Sequence, residues 1–90
     1  MIMREYIIDG RDMNSRSAAH SELQRALELP EHYGRNLDAL WDCVTGMHAH
    51  VILAHPAEML NALGVYGCKL LQTMFEAADA NENFSFHIQE

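Results

Sequence analysis

The sequence predicts an α/β fold in which a three-stranded parallel β-sheet packs with about four helices. Short β-favouring runs alternate along the chain with segments whose apolar residues have helical spacing. Each connection between predicted strands contains helical segments, and helical crossovers make parallel pairing the default. The 90 residues are enough for one domain with one core and too few for two. Residues 1–90 are therefore expected to form a single domain.

The first strand and the first helix are predicted before residue 29. Met3–Ile8 contains β-favouring residues and is followed by the turn signal Asp9-Gly10. Ser15 is suited to cap a helix over about residues 16–28. Apolar side chains recur at helical spacing within it, at Ala19, Leu23, Ala26 and Leu27.

A second helix is predicted to begin near Leu37, with Asn36 as its N-cap and Gly46 as its terminator. Asp38 and Asp42 lie one turn apart and therefore share one face of this helix. Its apolar side chains form a separate inward stripe, at Leu37, Leu40, Trp41 and Val44.

A strand and a short helix are predicted next. The apolar run Val51–Ala54 is typical of a parallel strand that is buried on both faces. Pro56 suits the first turn of a helix that continues to about Leu63. Gly64 and Gly67 are then expected to interrupt the chain.

The last predicted elements are a helix and a strand. The helical stripe contains Leu70, Leu71, Met74, Phe75 and Ala78. Residues 81–83 have the composition of a turn, and residues 84–88 alternate between apolar and polar side chains as a half-exposed strand does.

Charge and composition limit the classes of partner. Thirteen acidic and six basic residues give a formal charge of −7, which disfavours nucleic acid as a partner and favours a basic protein. No apolar run approaches the roughly 20 residues of a membrane helix, so no membrane association is expected. The N-terminus lacks the features of a secretory signal, and the expected location is cytoplasmic.

The cysteine and histidine residues form no complete motif for a disulfide scaffold or a metal site. Cys43 and Cys68 are too few for a disulfide scaffold and are expected to be reduced thiols. His48, His50 and His55 have the chemistry to bind Zn²⁺ or Ni²⁺, although no acidic residue or cysteine nearby completes a four-ligand spacing. We expect no cofactor, no metal and no catalytic residue, and a His-rich metal-binding regulator remains an alternative.

Residues 29–46 resemble the loop and second helix of the barstar family of ribonuclease inhibitors. The match is nearly position for position, at Leu29-Pro30-Glu31, Tyr33-Gly34, Asn36-Leu37-Asp38-Ala39-Leu40-Trp41-Asp42-Cys43 and Thr45-Gly46. A contiguous block that contains glycine, tryptophan and cysteine seldom arises by chance. A weaker resemblance covers the first strand, the helix with His20 and the late helix with Leu71-Gln72 and Phe75.

The resemblance implies a barstar-like fold and a non-enzymatic function. It implies an intracellular immunity protein that inhibits a guanyl-specific secreted or toxin-type ribonuclease and is monomeric when free. Asp42 would stand where an RNA phosphate binds, facing arginine and histidine side chains, and Asp38 would contact adjoining groups. The implied partner-binding residues are His32, Tyr33, Gly34, Asn36, Leu37, Asp38, Trp41, Asp42, Gly46, Met47 and Glu76.

Four positions depart from the family pattern. His32 and Met47 stand where the family often has aromatic residues, and Arg35 replaces a residue that is often acidic. A contact acid of the late helix aligns with Ala77, which leaves Glu76 or Asp79 as an imperfect substitute. An alternative therefore stays open, in which the chain is a barstar-like module for a different basic protein.

Overall fold

Residues 3–90 are described by a computed structural model, so the first two residues of the predicted domain lie outside this range. A short 3-10 helix at Gly10–Asp12, which the sequence did not predict, follows the first strand. The other elements, in chain order, are β1 (Arg4–Asp9), α1 (Arg16–Ala26), α2 (Leu37–Val44), β2 (Ala49–Ala54), α3 (Pro56–Leu63), α4 (Val65–Ala80) and β3 (Phe84–Gln89).

The three strands form one sheet in the order β1-β2-β3, and both pairings are parallel. Val51 in the central strand lies opposite Tyr6 on one side and Phe86 on the other. Helices connect the successive strands, as parallel pairing requires. The predicted α/β class with three parallel strands and four helices is confirmed.

Only one face of the central strand is fully buried, and the prediction of burial on both faces is wrong. Val51 and Leu53 are at most 1% exposed, whereas Ile52 between them is half-buried. On the same open face, Ile7 of β1 lies opposite Ile52 and is 57% exposed. A short apolar run does not distinguish one-sided from two-sided burial, because both require the same residues. The strand also begins earlier than predicted and includes His50.

The core combines the buried face of the sheet with the apolar stripes of the helices. Helix α1 packs against β1, α4 packs against β3, and α2 packs against α4. This arrangement places the outer surface of α2 away from the sheet. The largest fully buried apolar side chains are Ile8, Met13, Leu23, Leu27, Leu40, Leu53, Met59, Leu70, Met74, Val44 and Val51.

Helix α1 begins as predicted and ends two residues early. Ser15 caps it, because its side-chain oxygen accepts a hydrogen bond from the backbone N–H of Ala18. At the other end Glu28 has a φ of 55°, a left-handed conformation that does not continue a right-handed helix. The chain then turns into the loop before α2.

Gly64 and Gly67 have different roles from each other. Gly64 has a φ of 58° and separates α3 from α4, which confirms the predicted interruption. Gly67 lies inside α4 and is buried, so the prediction that it interrupts the chain is wrong. A Cβ atom there would lie 3.3 Å from side-chain atoms of Leu60 and Leu63, so glycine permits the close approach of α3 to α4.

Gly10 is required by a close approach of two backbone segments at the end of the sheet. A Cβ atom at this position would overlap the carbonyl oxygen of His55 and would lie 3.0 Å from that of Ala54. These are backbone atoms, so no side-chain rotation can relieve the overlap.

No helix within residues 3–90 is long and apolar enough to cross a membrane.

Candidate partner-binding surface

A buried polar network holds the inner side of the loop between α1 and α2. The imidazole of His20 lies 2.7 Å from the hydroxyl of Tyr33 through Nδ1 and 2.7 Å from the hydroxyl of Tyr66 through Nε2. Tyr33 belongs to the loop and Tyr66 to α4, so one side chain of α1 joins three segments. Tyr33 is only 5% exposed, so little of its side-chain surface is open to a partner.

Burial and charge keep this network neutral. Burial, and to a lesser degree the positive charge of Arg35, lower the pKa of His20. Burial raises the pKa of Tyr33 above its ordinary value. A neutral imidazole donates one hydrogen bond and accepts another, so His20 can satisfy both tyrosine hydroxyls.

Arg35 holds the same loop against α1. Its guanidinium donates hydrogen bonds of 2.9 Å to the backbone oxygen of Ser17 and of 2.9 Å to the hydroxyl of Ser21. A third, of 3.2 Å, reaches the side-chain oxygen of Gln24. The family departure at position 35 therefore directs its charge toward α1. The residue has a φ of 55°, a conformation that costs a non-glycine residue about 1–2 kcal/mol.

Gly34 makes a different contribution from Arg35. Within residues 3–90 the only glycine with a positive φ is Gly64, so Gly34 does not supply an unusual backbone angle. A Cβ atom at Gly34 would lie 3.1 Å from the Cβ of Ala39, which is tighter than ordinary van der Waals contact. Glycine therefore lets the loop pass close to the first turn of α2.

Helix α2 presents the two carboxylates outward. The side-chain oxygen of Asn36 accepts a 2.7 Å hydrogen bond from the N–H of Ala39, which confirms the predicted cap. Within residues 3–90, the carboxylates of Asp38 and Asp42 are exposed and neither accepts a hydrogen bond nor pairs with a cation. In the inward stripe, Leu40 and Val44 are fully buried, whereas Leu37 and Trp41 are half-buried.

The two carboxylates border different depressions of the surface. Asp42 borders a small pocket of about 230 Å³ together with His32 and Gly34. Asp38 borders a larger pocket of about 590 Å³ together with Asn36 and Leu37. With Tyr33, which also lines the smaller pocket, seven of the implied contact residues are thus brought to two concavities that both border α2.

The remaining implied contacts lie at the end of α2 and on α4. Gly46 is exposed, and Met47 is half-buried against the core. Glu76 is exposed and accepts a 2.9 Å hydrogen bond from the side chain of Gln72. Ala77 is fully buried, because the phase of α4 turns this position inward and Glu76 outward.

Cys43 and His50 lie in surroundings that favour structural roles. Burial, and then the negative charge of Asp42, raise the pKa of the Cys43 thiol, which disfavours the nucleophilic thiolate. His50 lies 2.6 Å from the hydroxyl of Ser85. Within residues 3–90 no group of three or more histidine, cysteine or acidic side chains is placed to hold a metal ion.

One buried carboxylate was missed by sequence reasoning. Glu22 of α1 is 5% exposed, accepts a 2.9 Å hydrogen bond from the backbone N–H of Asp9 and pairs with Arg25 at 2.7 Å. It ties α1 to the end of β1. The available signal was an acid on the apolar side of the helix with an arginine three residues later.

The comparison with known proteins agrees with the fold and with the loop-helix segment. The family model Barstar, described as barnase inhibitor, matches residues 3–89. This chain belongs to the barstar family. A relative in Bacillus subtilis (strain 168), named "Putative ribonuclease inhibitor YrdF", is 40% identical over 80 residues, which is 86% of this chain and 88% of that protein.

Proposed function

We propose that this barstar-family chain inhibits a guanyl-specific secreted or toxin-type ribonuclease and protects the cell that makes the enzyme. The observation that carries the proposal is the pair of exposed, unpaired carboxylates of Asp38 and Asp42 on a loop-helix segment of barstar type. The name of the Bacillus subtilis relative supports a ribonuclease as the class of partner.

Asp42 is the proposed mimic of an RNA phosphate. A carboxylate facing arginine side chains forms charge-assisted hydrogen bonds, which can be bidentate. Because the Asp42 carboxylate has no internal partner among residues 3–90, no ion pair of the inhibitor must break before it binds. The pocket beside it, bordered by His32 and Gly34, gives a neighbouring side chain of the enzyme a place to enter.

The loop needs little ordering when the partner binds. The bonds of His20 to two tyrosines and those of Arg35 to α1 are formed in the free chain. Association costs free energy for each loop or side chain that must be ordered, so a loop held in advance reduces that cost. The formal charge of −7 would also speed encounter with a basic enzyme, and salt would slow it.

RNA cleavage assays test the proposal directly. The purified chain is titrated into guanyl-specific microbial ribonucleases and into any nuclease encoded beside its own gene, and residual cleavage is measured against the molar ratio. We expect activity to disappear at one inhibitor per enzyme. If none of these enzymes loses activity, the proposal is wrong. Recovery of a basic protein without nuclease activity by pull-down from the native host would instead favour the alternative binding module.

A further inference from the structure

Half of the basic side chains in this acidic protein have no acidic partner within the described part of the chain. The sequence contains six arginine and lysine residues. Three form ion pairs, in Arg4–Glu28 at 3.2 Å, Arg11–Asp9 at 2.8 Å and Arg25–Glu22 at 2.7 Å. The other three, Arg16, Arg35 and Lys69, lie within 4.0 Å of no carboxylate oxygen among residues 3–90.

These three cations line the same pocket. The pocket has a volume of about 590 Å³ and lies between α1, α2 and α4. Arg16 comes from the first turn of α1, Arg35 from the loop before α2, and Lys69 from α4. The only carboxylate that lines it is that of Asp38. A chain with more than twice as many acidic as basic residues thus concentrates its unpaired positive charge in one concavity.

The surroundings of each of the three cations favour an anionic ligand: two guanidinium groups are fixed in position, and one ammonium group has free hydrogen-bond donors. The guanidinium of Arg16 lies 4.3 Å from the centre of the Tyr66 ring, and this stacking restricts its position. Arg35 is fixed by hydrogen bonds to uncharged oxygens, which leave its charge uncompensated. Within residues 3–90 the Lys69 ammonium makes no hydrogen bond or ion pair, so all three of its donors are available.

We propose that this cationic pocket binds a phosphate-type oxyanion. Three positive side chains around a space of this size match an ion that carries up to two negative charges and several acceptor oxygens better than they match a single carboxylate. The ligand is free phosphate or the phosphate group of a mononucleotide, since both present the same oxygens. The inference goes beyond the proposed inhibition and does not depend on a ribonuclease partner.

A titration followed by NMR tests the pocket. Sodium phosphate is added to the ¹⁵N-labelled full chain at pH 7.5, with ionic strength held constant by sodium chloride, and backbone amide shifts are measured. Parallel titrations use sodium acetate and adenosine monophosphate. We expect saturable shifts with phosphate at the amides of Arg16, Ser17, Leu37, Tyr66 and Lys69. Tighter binding of the mononucleotide than of phosphate would identify a nucleotide as the better ligand, and weaker binding would identify free phosphate.

Charge-matched variants assign the site. Lys69→Ala removes an exposed cation of the pocket, and we expect it to weaken phosphate binding at least about threefold. Arg4→Ala removes the same charge elsewhere, from a surface ion pair with Glu28, and should leave phosphate affinity unchanged. The amide spectrum of each variant shows whether it is folded. The proposal is overturned if phosphate produces no saturable shifts at the pocket, if acetate produces equal shifts, or if the two variants behave alike.

Discussion

The Nδ1 atom of His20 lies 2.7 Å from the hydroxyl of Tyr33, and this contact joins α1 to the loop that precedes the acidic face of α2. His20 is 2% exposed and Tyr33 is 5% exposed, so the bond is shielded from water. The position of the proposed contact residues consequently depends on a titratable group that is itself buried.

Protonation of His20 should destabilise the fold at acidic pH. Burial, with the charge of Arg35, lowers the folded-state pKa of His20 below the ordinary value of 6.5. The unfolded chain therefore binds a proton at a higher pH than the folded chain does, and stability is lost as pH falls below about 6.5. One such group contributes a slope of at most about 1.4 kcal/mol per pH unit between its two pKa values. Urea unfolding at a series of pH values from 7.5 to 5 measures how the free energy of unfolding depends on pH.

Two histidine variants isolate this effect. His20→Gln removes the buried titrating group and should flatten the dependence of the unfolding free energy on pH, although it also lowers stability at pH 7.5. His32→Gln changes an exposed histidine of the loop between α1 and α2, and the variant should retain the slope of the parent. If the His20→Gln variant keeps the slope of the unfolding free energy against pH, the buried imidazole is not the cause of that slope.

Asp42→Ala should weaken a ribonuclease complex more than Asp38→Ala does. Truncation of one partner of a buried charge pair costs about 2–5 kcal/mol in binding, because the opposing cations remain unpaired. Both side chains are exposed in the free chain, so neither change should alter the free energy of unfolding by more than about 0.5 kcal/mol. Stopped-flow association and dissociation rates over a series of salt concentrations measure the effect.

Glu5→Ala is the control for charge alone. Glu5 is an exposed acid of β1 outside the proposed surface, and its removal changes the net charge equally. We expect a small decrease in association rate and an unchanged dissociation rate. Inhibition by Asp42→Ala that equals that of the parent would remove the phosphate-mimic mechanism.

Substitutions of Arg35 should separate its hydrogen bonds from its backbone conformation. Arg35→Ala removes the bonds to α1 but keeps a side chain at a φ of 55°, and we expect it to lower the free energy of unfolding by about 1–3 kcal/mol. Arg35→Gly loses the same bonds but relieves the left-handed conformation, so it should be about 1 kcal/mol more stable than Arg35→Ala. Chemical denaturation of the two variants in phosphate-free buffer measures the difference; the opposite order would contradict this account of the loop.

Gly10→Ala should be among the most damaging single substitutions in the chain. The added Cβ would overlap the backbone of His55, and the strands must shift to admit it. We expect a loss of at least about 3 kcal/mol or failure to fold. Gly46→Ala is the matched control, because a Cβ there meets backbone oxygens only at 3.8 and 4.0 Å. Thermal unfolding compares the two, and similar melting temperatures would contradict the predicted overlap.

Local signals in the sequence predicted most elements of the fold. The Asn36 cap, the start of α3 at Pro56 and the break at Gly64 each depend on a few neighbouring residues, and all three are confirmed. Parallel pairing followed from the helical connections. These features need no knowledge of which distant segments meet.

Features that depend on distant contacts were missed. Gly10 reads as a turn residue in sequence, but the atom that requires glycine belongs to His55 after the next strand. The side chain of Tyr33 turns inward to reach His20 of α1, and sequence spacing does not show that these two residues meet. The two depressions beside α2 likewise depend on the packing of three helices and a loop.

The inner side of the loop before α2 is bonded to α1 through Tyr33 and Arg35. Asp38 and Asp42 point outward, and their carboxylates make no hydrogen bond or ion pair among residues 3–90. Substitutions on the outward side can therefore accumulate during evolution at little expense to folding. Descendants of one inhibitor could keep the same fold while their exposed side chains are substituted to match an enzyme whose own surface changes. Mutational drift among relatives should accordingly be faster at the outer positions than at His20 and Tyr33.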